Sequence, residues 1–107
     1  MAVLHISPEA MTDLQAINDY ISIEFDSPAA AQNVVSKIVK AIKNLGQFPE
    51  IGTPLTFIVD IQTDYRYLVS GSYMTFYRYD DDTVYVLRVL YGKRDYLGIL
   101  FAEVNRI

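Results

Sequence analysis

The sequence predicts an α+β domain, with a short N-terminal strand and a two-helix hairpin packed on an antiparallel sheet. Two observations predict it. Two proline-started segments of helical periodicity fill the first half, and three Tyr/Val-rich runs joined by tight turns fill the second. At 107 residues the chain has room for one domain, 1–107, and not two. A domain of this size buries roughly two-thirds of the surface its unfolded chain exposes, enough for an ordinary core.

The elements follow in order. Val3-Leu4-His5-Ile6 reads as a first strand that ends at Ser7-Pro8. Ser7 is a good helix N-cap, and Pro8 suits the first helical position, where a missing N–H has no partner to lose. Met11, Leu14, Ile17, Ile21 and Phe25 then recur at helical spacing, giving helix 1 over 8–25. Ser27-Pro28 repeats the start signal. Ala31, Val34, Val35, Ile38, Ala41, Ile42 and Leu45 form one apolar stripe, with Lys37, Lys40 and Lys43 facing away. Helix 2 therefore spans 28–45, with Gly46 read as a left-handed stop. So short a connection makes the two helices an antiparallel hairpin. Phe48-Pro49-Glu50-Ile51-Gly52-Thr53-Pro54 is too densely punctuated for either element type. Strands follow at 65–69, 73–79 and 84–91, turned by Ser70-Gly71-Ser72 and Asp80-Asp81-Asp82-Thr83. The only further strand candidate is 55–60, and 95–107 reads as a short helix or tail that can dock through Leu97, Leu100 and Phe101.

Composition excludes several classes of function. The net charge of −4 argues against broad, sequence-indifferent nucleic-acid binding. With no cysteine there is no disulfide framework and no thiolate zinc site, and the cytoplasm is the favoured compartment. No apolar run reaches the ~18 residues of a membrane span, and the N-terminus has no signal-peptide pattern. The lone His5 makes a poor general base, Asp80-Asp81-Asp82 is a solvated turn, and no phosphate-cradling glycine loop is present. No metal or cofactor is expected. Nine tyrosines, most of them between 65 and 96, suit either a half-buried sheet or an aromatic binding face. Strand alternation sets Tyr73, Thr75, Tyr77 and Tyr79 against Met74, Phe76 and Arg78, and sets Val84, Val86, Arg88 and Leu90 on one face. Arg88 in such company either pairs with a buried carboxylate or emerges at the sheet edge.

The order and wording of these segments resemble the RelE/ParE toxin superfamily. The likeness runs through Asp13-Leu14, Ile17, Tyr20-Ile21, Ser27-Pro28 and Phe48-Pro49-Glu50-Ile51-Gly52. It continues through Tyr65-Arg66-Tyr67-Leu68, Tyr73 to Tyr77, Val84 to Arg88 and Tyr91-Gly92-Lys93-Arg94-Asp95-Tyr96. The hairpin and the Phe-Pro-Glu-Ile-Gly loop are closer to the ParE branch. The resemblance implies the toxin of a type II toxin–antitoxin pair, of the kind that serves plasmid stabilisation. Its implied partner is a cognate antitoxin, and a homodimer within that complex is compatible with it. ParE-like members poison DNA gyrase by binding it, which implies target-binding roles for Arg88, Lys93, Arg94 and Tyr96. RelE-like members cut messenger RNA on the ribosome, which would give catalytic roles to Arg66 and Arg94. Against the second branch, Met74 stands where an arginine is expected and Leu100 where a tyrosine is expected. Tyr96 is the nearest substitute hydroxyl. A third expectation is a non-toxic binding module of the same fold.

Overall fold

The computed structural model describes residues 1–101, and the rest of the predicted C-terminal segment, 102–107, lies outside the described residues. The elements are β1 (Val3–Ile6), α1 (Pro8–Glu24), α2 (Pro28–Asn44), β2 (Thr53–Pro54), β3 (Arg66–Ser70), β4 (Tyr73–Asp80), β5 (Thr83–Tyr91) and α3 (Tyr96–Leu100). They form one sheet in the order β1-β5-β4-β3-β2. The α+β architecture is as expected. The sheet is antiparallel from β2 to β5 and gains a parallel member where β1 lies beside β5.

Both helices start as their sequences dictate. The Ser7 hydroxyl accepts the Ala10 N–H at 3.0 Å, and the Ser27 hydroxyl accepts that of Ala30 at 3.1 Å. Between the helices Asp26 turns the chain in a left-handed conformation, φ +46°. Gly46 is not the left-handed stop the sequence suggested. Its N–H closes a tight turn onto the Lys43 carbonyl at 3.1 Å, and its own carbonyl accepts the Ala2 N–H at 2.7 Å. A Cβ there would sit 3.3 Å from the Lys43 carbonyl oxygen, a tight contact, and 3.6 Å from that of Ala2, an ordinary one.

Apolar residues sort onto two faces of the sheet. Leu14, Ile17, Ile21, Ala31, Ile38 and Ile42 from the hairpin meet Tyr77, Val84, Val86 and Val89. Lys37, Lys40 and Lys43 point outward as expected, whereas Val34, expected in the core, is only half-buried. The opposite face holds a smaller core of Leu55, Met74, Phe76 and Leu90, covered by Tyr96, Ile99 and Leu100 of α3. The candidate strand at 55–60 is instead a single 3-10 turn, Leu55–Phe57, after the two-residue β2. Pro54 has no N–H to continue a ladder, and Leu55 is drawn fully into the smaller core.

One irregularity changes the face assignments. Phe76 pairs with Arg88 but Tyr77 with Val86, so Leu87 is an extra residue in β5. The bulge breaks the predicted alternation there. Val84, Val86 and Val89 face the hairpin, while Leu90 faces the smaller core. Among the described residues no helix is long and apolar enough to cross a membrane.

Candidate functional site

The site begins where β1 ends. Ile6 lies opposite Val86, and beyond that point no strand among the described residues covers this edge of β5. The chain turns at Ser7, whose N–H reaches the Val86 carbonyl at 3.0 Å and whose hydroxyl donates to the Leu87 carbonyl at 2.7 Å. Helix α1 then crosses the exposed edge and brings Asp13 to it. One Asp13 oxygen, Oδ2, accepts the Val89 N–H at 2.9 Å and Arg88 Nε at 2.7 Å, while Oδ1 accepts Arg88 Nη2 at 2.8 Å. Of the two fates read for Arg88, the structure has the carboxylate pair. The hydrogen bonds from Arg88 to Asp13 hold the guanidinium even more firmly protonated than usual, outweighing its partial desolvation.

Past Asp13 the space between α1 and the end of β5 opens into a groove of about 760 Å³, within the size range of ligand and peptide pockets. Ile17 and Val34 line it from the hairpin, and Tyr73 and Tyr91 line it from the sheet. Tyr20 stands over it, 58 % exposed, and Arg94 lies at its rim. Tyr73 and Tyr91 meet edge to face, 5.9 Å between ring centres. Burial first, then the neighbouring Tyr20 and Tyr91 hydroxyls, raises the Tyr73 pKa above the ordinary tyrosine range.

The remaining predicted residues divide by location. Lys93 and Arg94 are exposed in the turn after β5. Tyr96, two residues on, goes to the other side of the sheet and packs on Phe76, 5.2 Å between ring centres. Met74 is buried in the same smaller core, against which Leu100 packs. Arg66 is far from this end. It pairs with Tyr77, four residues along β4 from Tyr73, the partner of Tyr91, a separation of about 13 Å along the strand. Arg66 Nη1 donates to the Gly52 carbonyl at 2.8 Å and to that of Glu50 at 3.2 Å, and its guanidinium lies 5.6 Å from the centre of the Tyr79 ring. The Tyr77 hydroxyl completes this clamp. It accepts the Gly52 N–H at 2.8 Å and donates to the Pro49 carbonyl at 2.7 Å. The Pro49-Glu50-Ile51-Gly52 loop is thus held by the sheet. A Cβ on Gly52 would fall 2.5 Å from the Tyr77 hydroxyl, so only glycine fits.

Arg88, by way of Asp13, and Arg94 are thereby brought to one groove, and Arg66 is not. Sequence reasoning missed Asp13, Tyr20 and Tyr77 as site-forming groups. Asp13 carried a signal only as a carboxylate on the helix that follows the edge strand. Among the described residues no group of three His, Asp or Glu side chains could hold a metal ion.

Over residues 4–96 the chain matches the family described as the ParE toxin of the type II toxin–antitoxin system, parDE. No curated protein sequence matches it. Among solved structures it is similar to the chromosomal ParDE toxin–antitoxin system from P. aeruginosa, at 24% identity and a TM-score of 0.73, covering 87% of this chain and 98% of that one. It is also similar to the RelBE2 toxin–antitoxin complex from Mycobacterium tuberculosis, at 22% identity and a TM-score of 0.61, covering 84% and 96%. The structural likenesses carry the fold, and the family match spans every element from β1 to the start of α3: the chain belongs to the ParE toxin family of type II toxin–antitoxin systems.

Proposed function

We propose that this protein inhibits growth by binding and poisoning DNA gyrase in the cytoplasm, and that a cognate antitoxin restrains it by docking in the groove between α1 and β5. The reading rests on how the charged groups are deployed. A ribosome-dependent nuclease of this fold needs cations gathered around one scissile phosphate. Here Arg66 is spent on the Gly52 and Glu50 carbonyls, well removed along the sheet from Arg94. Met74 and Leu100 belong to an apolar core where that chemistry would want a charge and a hydroxyl. Arg94 is exposed at the rim of an apolar groove and Lys93 is exposed next to it in the chain, the arrangement of a protein-docking surface with a cationic anchor. Induced expression with two readouts tests the proposal. DNA breaks linked to gyrase, with an SOS response and intact transcripts, are the expected result. Codon-positioned cuts in translated messages without DNA damage would replace it with the nuclease reading. Unhindered growth on strong expression would leave a non-toxic binding module.

A further inference from the structure

The uncovered edge of β5 suggests how the groove holds its occupant, and this step rests on the antitoxin reading above. We propose that an extended segment of the antitoxin pairs with β5 at Val89–Tyr91, parallel to it and in the lane β1 vacates, and sets a carboxylate on Arg94. The backbone pattern supplies the first half. The Gly92 N–H bonds the Ser72 carbonyl at 2.8 Å, so Ser72 and Gly92 are a hydrogen-bonded pair of the antiparallel β4–β5 ladder. Such pairs alternate, so Tyr91 and Val89 turn their N–H and C=O groups away from β4. Val89 does so visibly, because its N–H is the one Asp13 accepts. The Tyr91 N–H and the Val89 carbonyl face the same edge, beside the groove that both residues line. In a parallel ladder one residue of an incoming strand accepts from the first and donates to the second. β1 makes this kind of pairing upstream. Asp13 separates the two stretches and limits the new strand to the groove end.

Charge supplies the second half. The groove's carboxylate, Asp13, is already neutralised by Arg88. Among the described residues no carboxylate lies within 4.0 Å of the exposed Arg94. The groove therefore presents an apolar floor with an unmatched cation at its rim. Arg94 lies in the turn just past Tyr91, its N–H bonded to the Tyr91 carbonyl at 3.0 Å, so the matching Asp or Glu lies C-terminal to the bridging residue. A segment seated this way covers Arg94 and denies it to the target.

The probe is the full-length product of the reading frame adjacent to this gene, bound to the isotope-labelled chain. Amide hydrogen exchange at Tyr91 should slow at least tenfold on binding. Arg94→Glu should weaken binding at least tenfold with an unchanged melting temperature, and Arg94→Gln should fall between. Binding with Tyr91 exchange unaltered, as a helix laid in the groove would give, overturns the strand pairing and leaves the antitoxin reading standing. Unchanged affinity in Arg94→Glu overturns the carboxylate contact. No binding at all overturns the antitoxin reading and this inference together.

Discussion

Asp13 sits mid-helix, where a carboxylate ordinarily faces water, yet it takes up the Val89 N–H and both forks of Arg88. Its side chain is 10 % exposed and that of Arg88 26 %, so both charges are largely withdrawn from solvent. Asp13→Ala would strand a guanidinium and an edge N–H together. We expect a loss of about 2–3 kcal/mol by chemical denaturation, and Asp13→Ala/Arg88→Met should recover part of it. A double variant no better than the single would mean the pair is not what the loss reports. The sequence posed the alternatives for Arg88 without choosing, because its partner is 75 residues away and nothing local links them. Tyr77 poses the same problem, since its ring reads as one more strand tyrosine while its hydroxyl holds the Pro49–Gly52 loop. Tyr77→Phe leaves a buried N–H and a carbonyl unpaired, at about 1–3 kcal/mol. Burial, only partly offset by the Gly52 N–H and Arg66, raises the Tyr77 pKa when folded. A raised folded pKa gives stability that is whole below the unfolded value of about 10 and is lost as pH climbs through the folded one. Stability should therefore fall at alkaline pH, and fall less steeply in Tyr77→Phe.

At the scale of elements, helix periodicity survived contact with the structure and strand alternation partly failed, for separable reasons. The α2 stripe is set by side chains on one helix, so Ile38 and Ile42 are buried and Lys40 exposed as their spacing demands. Ile38→Ala should cost about 2–5 kcal/mol, as large-to-small changes in a packed core do. A loss below about 0.5 kcal/mol would place that face elsewhere. Alternation in β5 depends on its neighbours. The extra residue at Leu87 turns Leu90 to the opposite face from Val84 and Val86, and no local pattern announces a bulge. The candidate strand at 55–60 gave way to a 3-10 turn, with Leu55 buried in the smaller core and Pro54 before it lacking an N–H to extend a ladder, while a two-residue strand formed at Thr53–Pro54, where none was expected. Parallel pairing of β1 was equally out of reach, as it joins residues some 80 positions apart. The groove inherits all of this. Ile17 was legible only as part of a helix stripe and Tyr73 only as a strand tyrosine, because the groove they line depends on where β1 stops.

For the whole molecule, the decisive matter is what its cations are free to do. Arg66 and Arg94 are equivalent to a charge count, but one props a loop and the other stands at an open rim. Their alanine variants should therefore fail in different ways. Arg66→Ala removes donors to the Gly52 and Glu50 carbonyls and the contact with Tyr79, so we expect a loss of about 1–2 kcal/mol and a lower melting temperature. Toxicity should follow the remaining folded fraction. Arg94→Ala should melt like the parent and still lose much of its growth inhibition, because an anchor truncated at an interface commonly costs ~2 kcal/mol or more in binding. Melting curves and growth under matched induction measure both. The opposite pattern, with Arg66→Ala fully folded and wholly non-toxic, would mean that Arg66 acts on the target directly. Two separated arginines would then have to act as one set, as cleavage of a bound message requires and docking to gyrase does not.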